Sequence, residues 1–436
     1  MTPPALLPPP QVIEWRSGPA VVEPVEHQPD SARVSALSAA LRGRLPGGKL
    51  PAEGYLLETG PGGAVIVAAD AAGEVRARQT LRQLGGAPAV RIADWPAMAW
   101  RGLHVLDSGP DSLPALVRLV HEVLGPRKCN VLVYEIDYNF AFTSHPEMAA
   151  KGAWTIAQIR ELGAACKAEG IRLIPELQCL GHQSWKKPPG ALLVAHPDFE
   201  EPSDKKNPQS DIASDEFYCR SWCPSHPQVH AFVSDLIDEL VDAFQTDAFH
   251  VGMDEVFLIG SEACPRCGKL NPADLYAHAV NDLHHRLHKR GVTMLMWGDR
   301  LLDGKATGYG DWEAATNGTA PAIDRIPTDI VICDWHYDGG VTGAYPSLKI
   351  FADRGFRVWP TVYKNLDASL GFLKAAREAA DPRVLGGLAS IWMPAGTMAA
   401  TLFGDGRVAA DPDDPQYRIA ATALADLEAA WHPATR

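Results

Sequence analysis

Two adjacent carboxylates near the middle of the chain, Asp254 and Glu255, are the residues best suited to do chemistry. They follow a short apolar run, 248–252, which has the pattern of a buried strand ending at a glycine. Neighbouring residues of a strand point to opposite faces, so such a pair can serve one site only where the strand gives way to a loop. Like charges at close range raise each other's pKa, which favours a general acid. A solvated loop with a helix-capping Asp is the alternative reading. The preceding His250-x-Gly252 favours a catalytic one.

From residue 100 onward, short apolar runs alternate with helical patterns. The eight apolar runs are 103–106, 131–134, 171–174, 249–251, 292–297, 330–333, 356–359 and 388–392. Helical spacing fills most of the gaps, for example at 116–124, 156–168, 229–244 and 275–287. Strand followed by helix, repeated in this way, predicts an α/β fold of the TIM (β/α)8 barrel type. Catalytic residues of such barrels lie at the C-terminal ends of the strands, so the polar residues after these runs are the candidate site.

The chain is predicted to divide into three parts. Residues 1–96 contain strand candidates at 55–58 and 64–68, then helical spacing, which predicts a small α+β domain. Residues 97–410 form the barrel, and 411–436 form a C-terminal surface helix packed on it. A long irregular insertion at 177–227 follows the third barrel strand, and insertions of this length are usually functional.

Composition narrows the classes of partner. The net charge of −13 disfavours nucleic acid and anionic membrane surfaces. No run reaches the ~20 apolar residues that span a bilayer, and Met1–Pro10 lacks the basic flank and apolar stretch of a signal peptide. These features predict a soluble, cytoplasmic protein. They leave its oligomeric state open.

The segment His250-Val251-Gly252-Met253-Asp254-Glu255 resembles the His-x-Gly-x-Asp-Glu signature of glycoside hydrolase family 20, the β-N-acetylhexosaminidases. Further resemblances occur in the family's order: Asp94-Trp95-Pro96 before Arg101-Gly102, Pro175-Glu176 with Gly181-His182, Cys223-Pro224-Ser225-His226-Pro227, Trp297-Gly298-Asp299, and Gly386-Gly387 with Trp392. The resemblance implies a barrel enzyme, preceded by a small α+β domain, that removes terminal β-linked GlcNAc or GalNAc from a carbohydrate.

The family mechanism, carried onto these positions, implies a role for each carboxylate. Glu255 is the general acid and then the base. Asp254 orients the substrate's acetamido group, whose carbonyl attacks the anomeric carbon and gives an oxazolinium intermediate. Tyr363 is the expected catalytic tyrosine that holds the acetamido oxygen. The expected substrate-binding residues are Arg101, Glu135, Asp137, His182, Trp297, Asp299, Trp335, Tyr337, Asp367 and Trp392. Each of these assignments has an alternative. The arginine could form a surface ion pair, each tryptophan could pack in the core, and Asp299 and Asp367 could cap helices. No cofactor is expected for catalysis.

Three segments depart from the family pattern. Trp392-Met393-Pro394 lacks the acid of the usual Trp-x-Glu, Asn365-Leu366-Asp367 replaces Tyr-Leu-Asp, and Tyr134-Glu135-Ile136-Asp137 replaces Thr-Asp-Asp. An intact acidic pair with altered hydroxyl contacts predicts a divergent branch that is open to galacto as well as gluco sugars. A non-catalytic sugar-binding relative and a zinc-dependent hydrolase on the same barrel are the competing hypotheses.

Four of the eight cysteines have the spacing of metal ligands, Cys219-x3-Cys223 and Cys264-x2-Cys267. In a barrel, the loops that carry these two pairs are neighbours on the same face. The spacing therefore predicts a structural zinc ion held by four thiolates beside the acidic pair, with free thiols or disulfides as the alternatives. The other cysteines, at 129, 166, 179 and 333, are expected to pack as small hydrophobic residues.

Overall fold

The computed structural model describes residues 3–26, 32–184, 188–202, 218–404 and 414–432. These ranges form a small N-terminal sheet and a closed barrel. Parts of the predicted insertion, 185–187 and 203–217, and the ends of the predicted 411–436 segment lie outside the described residues. In the part of the chain that is described, no helix combines the length and the apolar character needed to span a membrane.

The N-terminal sheet has five strands among the described residues, in the order β1-β5-β3-β4-β2. Its strands are β1 Val12–Pro19, β2 Val25–Glu26, β3 Tyr55–Gly60, β4 Gly63–Ala68 and β5 Pro88–Asp94, and its helices are α1 Ala32–Leu41 and α2 Ala71–Gln83. The sequence predicts β3, β4 and α2. It does not predict β1, β2 or β5. The last of these pairs with both β1 and β3 and lies inside the sheet.

Within the described residues, eight parallel strands close into a barrel in chain order, which confirms the predicted fold class. The strands are β6 Trp100–Leu106, β7 Val131–Glu135, β8 Arg172–Cys179, β9 Ala248–Gly252, β10 Thr293–Trp297, β11 Val331–Trp335, β12 Arg357–Val362 and β13 Gly386–Pro394. The helices are α3 Leu113–Leu119, α4 Ile156–Ala168, α5 Ala191–Ala195, α6 Val229–Phe244, α7 Pro272–Lys289, α8 Gly304–Thr307, α9 Pro346–Asp353, α10 Leu366–Glu378, α11 Ala395–Phe403 and α12 Pro415–Trp431.

The barrel interior is filled by alternate residues of its strands. Val131 and Val133 of β7 point inward and pack with the indole rings of Trp297 and Trp359. Gly102 makes room for this packing, because a Cβ at that position would collide with the ring of Trp359. The interior is therefore a packed core, and only the residues at or beyond the strand ends can face a substrate.

Arg101 lies at the N-terminal end of β6, on the barrel face opposite the catalytic strand ends. Its buried guanidinium donates hydrogen bonds to the carbonyl oxygens of Met98 at 2.8 Å, Ala99 at 2.9 Å and Lys128 at 3.0 Å. It also forms an ion pair of 2.6 Å with Glu53 of the N-terminal domain. The prediction that Arg101 binds sugar hydroxyls is therefore corrected: this arginine joins the barrel to the small domain.

A second buried group completes this junction. The Nζ of Lys128 lies 2.7 Å from an oxygen of Asp94, and the Nε1 of Trp431 donates to the same carboxylate at 3.0 Å. Trp431 ends α12 and packs into the apolar core of the N-terminal sheet. The predicted C-terminal surface helix is thus present, but its last residue is buried and links the two sheets.

The variant Arg101→Gln tests this assignment. It removes one of the two buried guanidinium groups that pair with Glu53, the other being that of Arg76, and it leaves three backbone carbonyls without their donor. The free energy of unfolding should fall by roughly 3–5 kcal/mol, whereas kcat and KM of the folded protein should stay within about twofold. Chemical denaturation and steady-state kinetics measure the two effects. Arg78→Gln, which removes an exposed ion pair with Glu74, is the matched control and should change stability little. A large rise in KM with unchanged stability would contradict this assignment and indicate that Arg101 binds the sugar.

Candidate active site

A cavity of about 710 Å³ lies at the C-terminal ends of the barrel strands. Six residues that the sequence predicts for the site line it: His182, Asp254, Glu255, Trp335, Tyr337 and Trp392. Ten further lining residues come from loops and were not predicted, among them Tyr218, Tyr309, Trp312, Glu313, Asp338 and Val341. The cavity therefore combines a carboxylate wall with aromatic walls.

The backbone after β9 turns both adjacent carboxylates into this one cavity. Gly252 has φ +66°, and a Cβ there would collide with the side chain of Gln178. Met253 at φ +75° and Glu255 at φ +48° are also in the left-handed region, which residues other than glycine rarely adopt. These conformations end the alternation of the strand, so Asp254 and Glu255 share one face. Strain of this kind persists where the surrounding structure enforces it, commonly at active sites.

His182 lies between the two carboxylates. Its Nε2 is 3.1 Å from Oδ2 of Asp254 and 3.1 Å from Oε2 of Glu255. Burial alone would lower the pKa of His182, but Cys219 and Asp254 raise that pKa well above its ordinary value. The position of the imidazole between two carboxylates favours its protonated form, which reduces the repulsion between the two acids.

Three contacts fix Glu255. The Tyr218 hydroxyl donates to Oε2 of Glu255 at 2.7 Å, and the Glu255 backbone N–H donates to Oδ2 of Asp299 at 2.9 Å. The Cys219 thiol donates to the Glu255 carbonyl at 3.0 Å and accepts from the backbone N–H of His182 at 3.1 Å. Side chain and backbone are both held, so the carboxyl group keeps a defined direction into the cavity.

Asp299 supports this arrangement from behind. It is buried, and its carboxylate accepts hydrogen bonds from Nε of Arg300 at 2.6 Å and from Nε1 of Trp335 at 3.4 Å. Burial raises the pKa of Asp299 to about 6, although Arg300 lowers it. Asp299 therefore positions Glu255 and Trp335. It was predicted to bind the substrate, but it is not among the described residues that line the cavity.

Aromatic residues at the ends of two strands, β11 and β13, form part of the cavity wall. Trp335 stacks on Tyr337 with ring centroids 4.9 Å apart, and the Nε1 of Trp392 donates to the Tyr337 hydroxyl at 2.9 Å. Tyr363, predicted to be catalytic, contacts the ring of Tyr337 edge-on at 5.2 Å and is not among the described lining residues. The prediction for Tyr363 is therefore corrected: it packs behind Tyr337, the tyrosine that faces the cavity.

Beneath the cavity lies a buried polar cluster. The Nε1 of Trp297 donates to Glu176 at 2.9 Å, and the Nε2 of His104 lies 3.0 Å from Glu176 and 3.1 Å from Glu135. Burial alone would lower the pKa of His104, but Glu176 and Glu135 raise it to about 10, so His104 is cationic. The His104 ring packs 4.8 Å from the ring of Trp392. Trp297 and Glu135, predicted to bind sugar, therefore form the support below Trp392.

Two other predicted residues also lie outside the cavity lining. Asp137 is turned toward β8, where its carboxylate accepts from the backbone N–H of Gln178 at 3.1 Å. Asp367 is exposed on α10 and borders a separate surface depression. Their place in the sequence after a strand was correct, but neither side chain points to the carboxylate pair.

The four predicted metal cysteines separate into two sets. Cys223, Cys264 and Cys267 lie together with Glu201, which the sequence did not single out. Cys219 instead holds the backbones of Glu255 and His182, as described above. The prediction of a four-thiolate cluster is therefore corrected in one ligand.

Residues 100–397 match the sequence model of the catalytic domain of glycosyl hydrolase family 20, and residues 17–95 match domain 2 of that family. The chain belongs to glycoside hydrolase family 20. The barrel, the small domain before it and the acidic pair at the end of the fourth barrel strand all fit this membership.

Curated relatives at low identity are named β-hexosaminidases or β-N-acetylhexosaminidases. A β-hexosaminidase of Akkermansia muciniphila is 28% identical over 247 residues, which cover 50% of this chain and 48% of the relative. A β-N-acetylhexosaminidase of Cellulomonas fimi is 27% identical over 318 residues, covering 60% of this chain and 62% of the relative. The chain thus spans about half the length of the first of these relatives.

Solved structures share the fold. A family 20 exo-β-N-acetylglucosaminidase of Vibrio harveyi, bound to N-acetylglucosamine, superimposes with a TM-score of 0.68 at 18% identity, over 98% of this chain and 73% of that one. A β-N-acetylhexosaminidase of Bacteroides fragilis gives 0.65 at 19% identity, over 97% and 90%. At this level of identity, the similarity shows only that the fold is shared.

The pair of variants Asp299→Asn and Asp367→Asn tests which acid serves the site. Asp299→Asn should lower kcat roughly ten- to a hundredfold with little change in KM, because the neutral amide weakens the support of Glu255 without touching the sugar. Asp367→Asn is the matched control and should behave as wild type. Steady-state kinetics on a chromogenic N-acetylglucosaminide provide the measurement. Equal losses in both variants would contradict the described arrangement.

Proposed function

We propose that this protein is an exo-acting β-N-acetylhexosaminidase that works by substrate-assisted, retaining catalysis. The observation that carries the proposal is the convergence of Asp254 and Glu255 on one cavity wall from a single short loop. A glycosidase with its own nucleophile needs an acid and a nucleophile on opposite sides of the scissile bond. Two neighbouring residues approach from the same side, so the nucleophile has to come from the substrate.

The 2-acetamido group supplies that nucleophile. Its carbonyl oxygen attacks the anomeric carbon while Glu255 protonates the leaving oxygen, and an oxazolinium ion forms. Asp254 accepts a hydrogen bond from the acetamido N–H and stabilises the positive charge that develops there. Glu255, now a carboxylate, takes a proton from a water molecule as the water oxygen attacks the anomeric carbon. The bond between this carbon and the acetamido oxygen breaks, and hydrolysis is complete with retention.

The aromatic residues suit a sugar with an acetamido methyl group. Trp335, Tyr337 and Trp392 line the cavity together with the two carboxylates and offer apolar ring faces. Apolar ring faces pack against the C–H face of a pyranose, while the tyrosine hydroxyl provides a polar contact. The cavity volume of about 710 Å³ accommodates a terminal sugar and part of its aglycone.

Recognition of the sugar hydroxyls is the part in which this chain departs from its family. In place of an acid after Trp392, Glu313 reaches the cavity from the loop after β10. Its carboxylate lies 2.6 Å from Nδ1 of His336. Burial alone would lower the pKa of His336, but Asp334 and Glu313 raise it to about 9. We assign hydroxyl binding to Glu313, with GlcNAc and GalNAc both as candidate sugars.

Hydrolysis of four p-nitrophenyl β-glycosides tests the proposal. The N-acetylglucosaminide and N-acetylgalactosaminide should be cleaved, because they carry the acetamido nucleophile, and the plain glucoside and galactoside should not. Glu255→Gln should lose roughly 10²–10⁴-fold on substrates with poor leaving groups and far less on activated aryl glycosides, which need no acid. Asp254→Asn should lose roughly 10²–10³-fold on both.

Glu161→Gln, an exposed change on α4, is the control for these variants and should retain wild-type rates. Wild-type rates for Glu255→Gln on a poor leaving group would contradict the acid assignment. Cleavage of the plain glucoside as fast as the acetamido sugar would contradict substrate assistance.

A further inference from the structure

A second cluster of ligand-type side chains lies next to the active-site loop. It consists of the sulfur atoms of Cys223, Cys264 and Cys267 and the carboxylate of Glu201, and these ligand atoms all lie within 4.8 Å of one another. All four side chains are buried. No step of the proposed hydrolysis uses them.

The spacing within the cluster is that of ligands around one metal ion. The sulfur of Cys223 lies 3.5 Å from that of Cys264 and 3.8 Å from that of Cys267, and the Cys267 sulfur lies 2.9 Å from Glu201 Oε1. Tetrahedral zinc with Zn–S bonds of about 2.3 Å separates its sulfur ligands by about 3.8 Å. A disulfide requires about 2.05 Å between the sulfurs, which these distances exceed.

The backbone around these side chains is also arranged as in a metal site. Cys264-Pro265-Arg266-Cys267 makes a tight turn in which the backbone N–H of Gly268 donates to the Cys264 carbonyl at 3.0 Å. A Cβ on Gly268 would lie 2.6 Å from the Ser261 carbonyl, so the turn needs glycine. The backbone N–H of Ser261 donates to Oε1 of Glu201 at 2.8 Å and orients this carboxylate toward the sulfurs.

We propose that Cys223, Cys264, Cys267 and Glu201 bind a structural zinc ion. Three thiolates and one carboxylate complete a tetrahedral set and leave no position for a water, which is the composition of a structural site. The complex would carry a net charge of about −2, and the Arg266 guanidinium, which lies against Cys223, offsets part of it. Thiolate-rich sites prefer zinc to magnesium or calcium.

The ion would join two loops that the barrel brings side by side. Glu201 and Cys223 belong to the segment between β8 and α6, and Cys264 and Cys267 to the segment between β9 and α7. The latter segment begins with Asp254 and Glu255, and the former carries His182, Tyr218 and Cys219. The metal therefore clamps together the two loops that supply the carboxylates and their supports.

Metal analysis of the full chain, purified on metal-free resin without chelator, tests the proposal. Wild type should contain about one zinc per chain by inductively coupled plasma mass spectrometry. Glu201→Gln should lose zinc to a competing chromogenic chelator at least roughly tenfold faster, and Cys267→Ala should lose the ion altogether. Cys166→Ala, which removes a buried thiol of α4 that is not part of the cluster, is the matched control and should retain zinc.

Thermal unfolding provides the second measurement. Removal of zinc from wild type should lower Tm, and added zinc should restore it, whereas Glu201→Gln should show a smaller recovery at the same zinc concentration. Wild-type protein that stays metal-free after incubation with zinc, with three titratable thiols at these positions, would overturn the proposal. So would an intact mass showing a disulfide among these cysteines. Because zinc content is measured without any substrate, its result is independent of the proposed hydrolysis.

Discussion

The repulsion between two carboxyl groups that are neighbours in the chain is the constraint on which the site depends. Asp254 and Glu255 share one cavity wall only because Met253 and Glu255 adopt left-handed backbone conformations. The His182 ring lies 3.1 Å from both acids, and its protonated form offsets their repulsion. Tyr218 binds the side chain of Glu255, and Cys219 and Asp299 bind its backbone. These contacts hold the strained loop in its conformation.

Support for this loop extends in layers through the barrel. Asp299 joins the Glu255 backbone to the indole of Trp335, so the acid and an aromatic wall share one buried anchor. Below them, the charges of His104 and Glu176 lie in a packed interior, where fixed charges act more strongly than in water. A preorganised site of this kind avoids reorganisation when positive charge develops on the sugar.

The sequence predicted the fold, and it predicted the carboxylate pair that lines the cavity, because strand periodicity and the Asp-Glu motif are local patterns. It misplaced Arg101, although the position of this residue at the start of a strand already indicated the barrel face away from the site. The directions of Trp297, Asp299 and Tyr363 depend on packing between strands, which no local pattern encodes. Tyr218 and Glu313 come from irregular loops, and Glu201 lies outside any cysteine motif, so their approach to the site depends on tertiary structure.

The most direct test of the account is the rate of hydrolysis of p-nitrophenyl N-acyl-β-glucosaminides whose acetyl group carries none, one, two or three fluorine atoms. Fluorine withdraws electron density from the acyl oxygen but leaves the leaving group unchanged. If that oxygen is the nucleophile, kcat/KM should fall at every step, by at least roughly a hundredfold across the series. A rate that is independent of fluorination would show that the nucleophile belongs to the protein or to water, and it would contradict the roles assigned to Asp254 and Glu255.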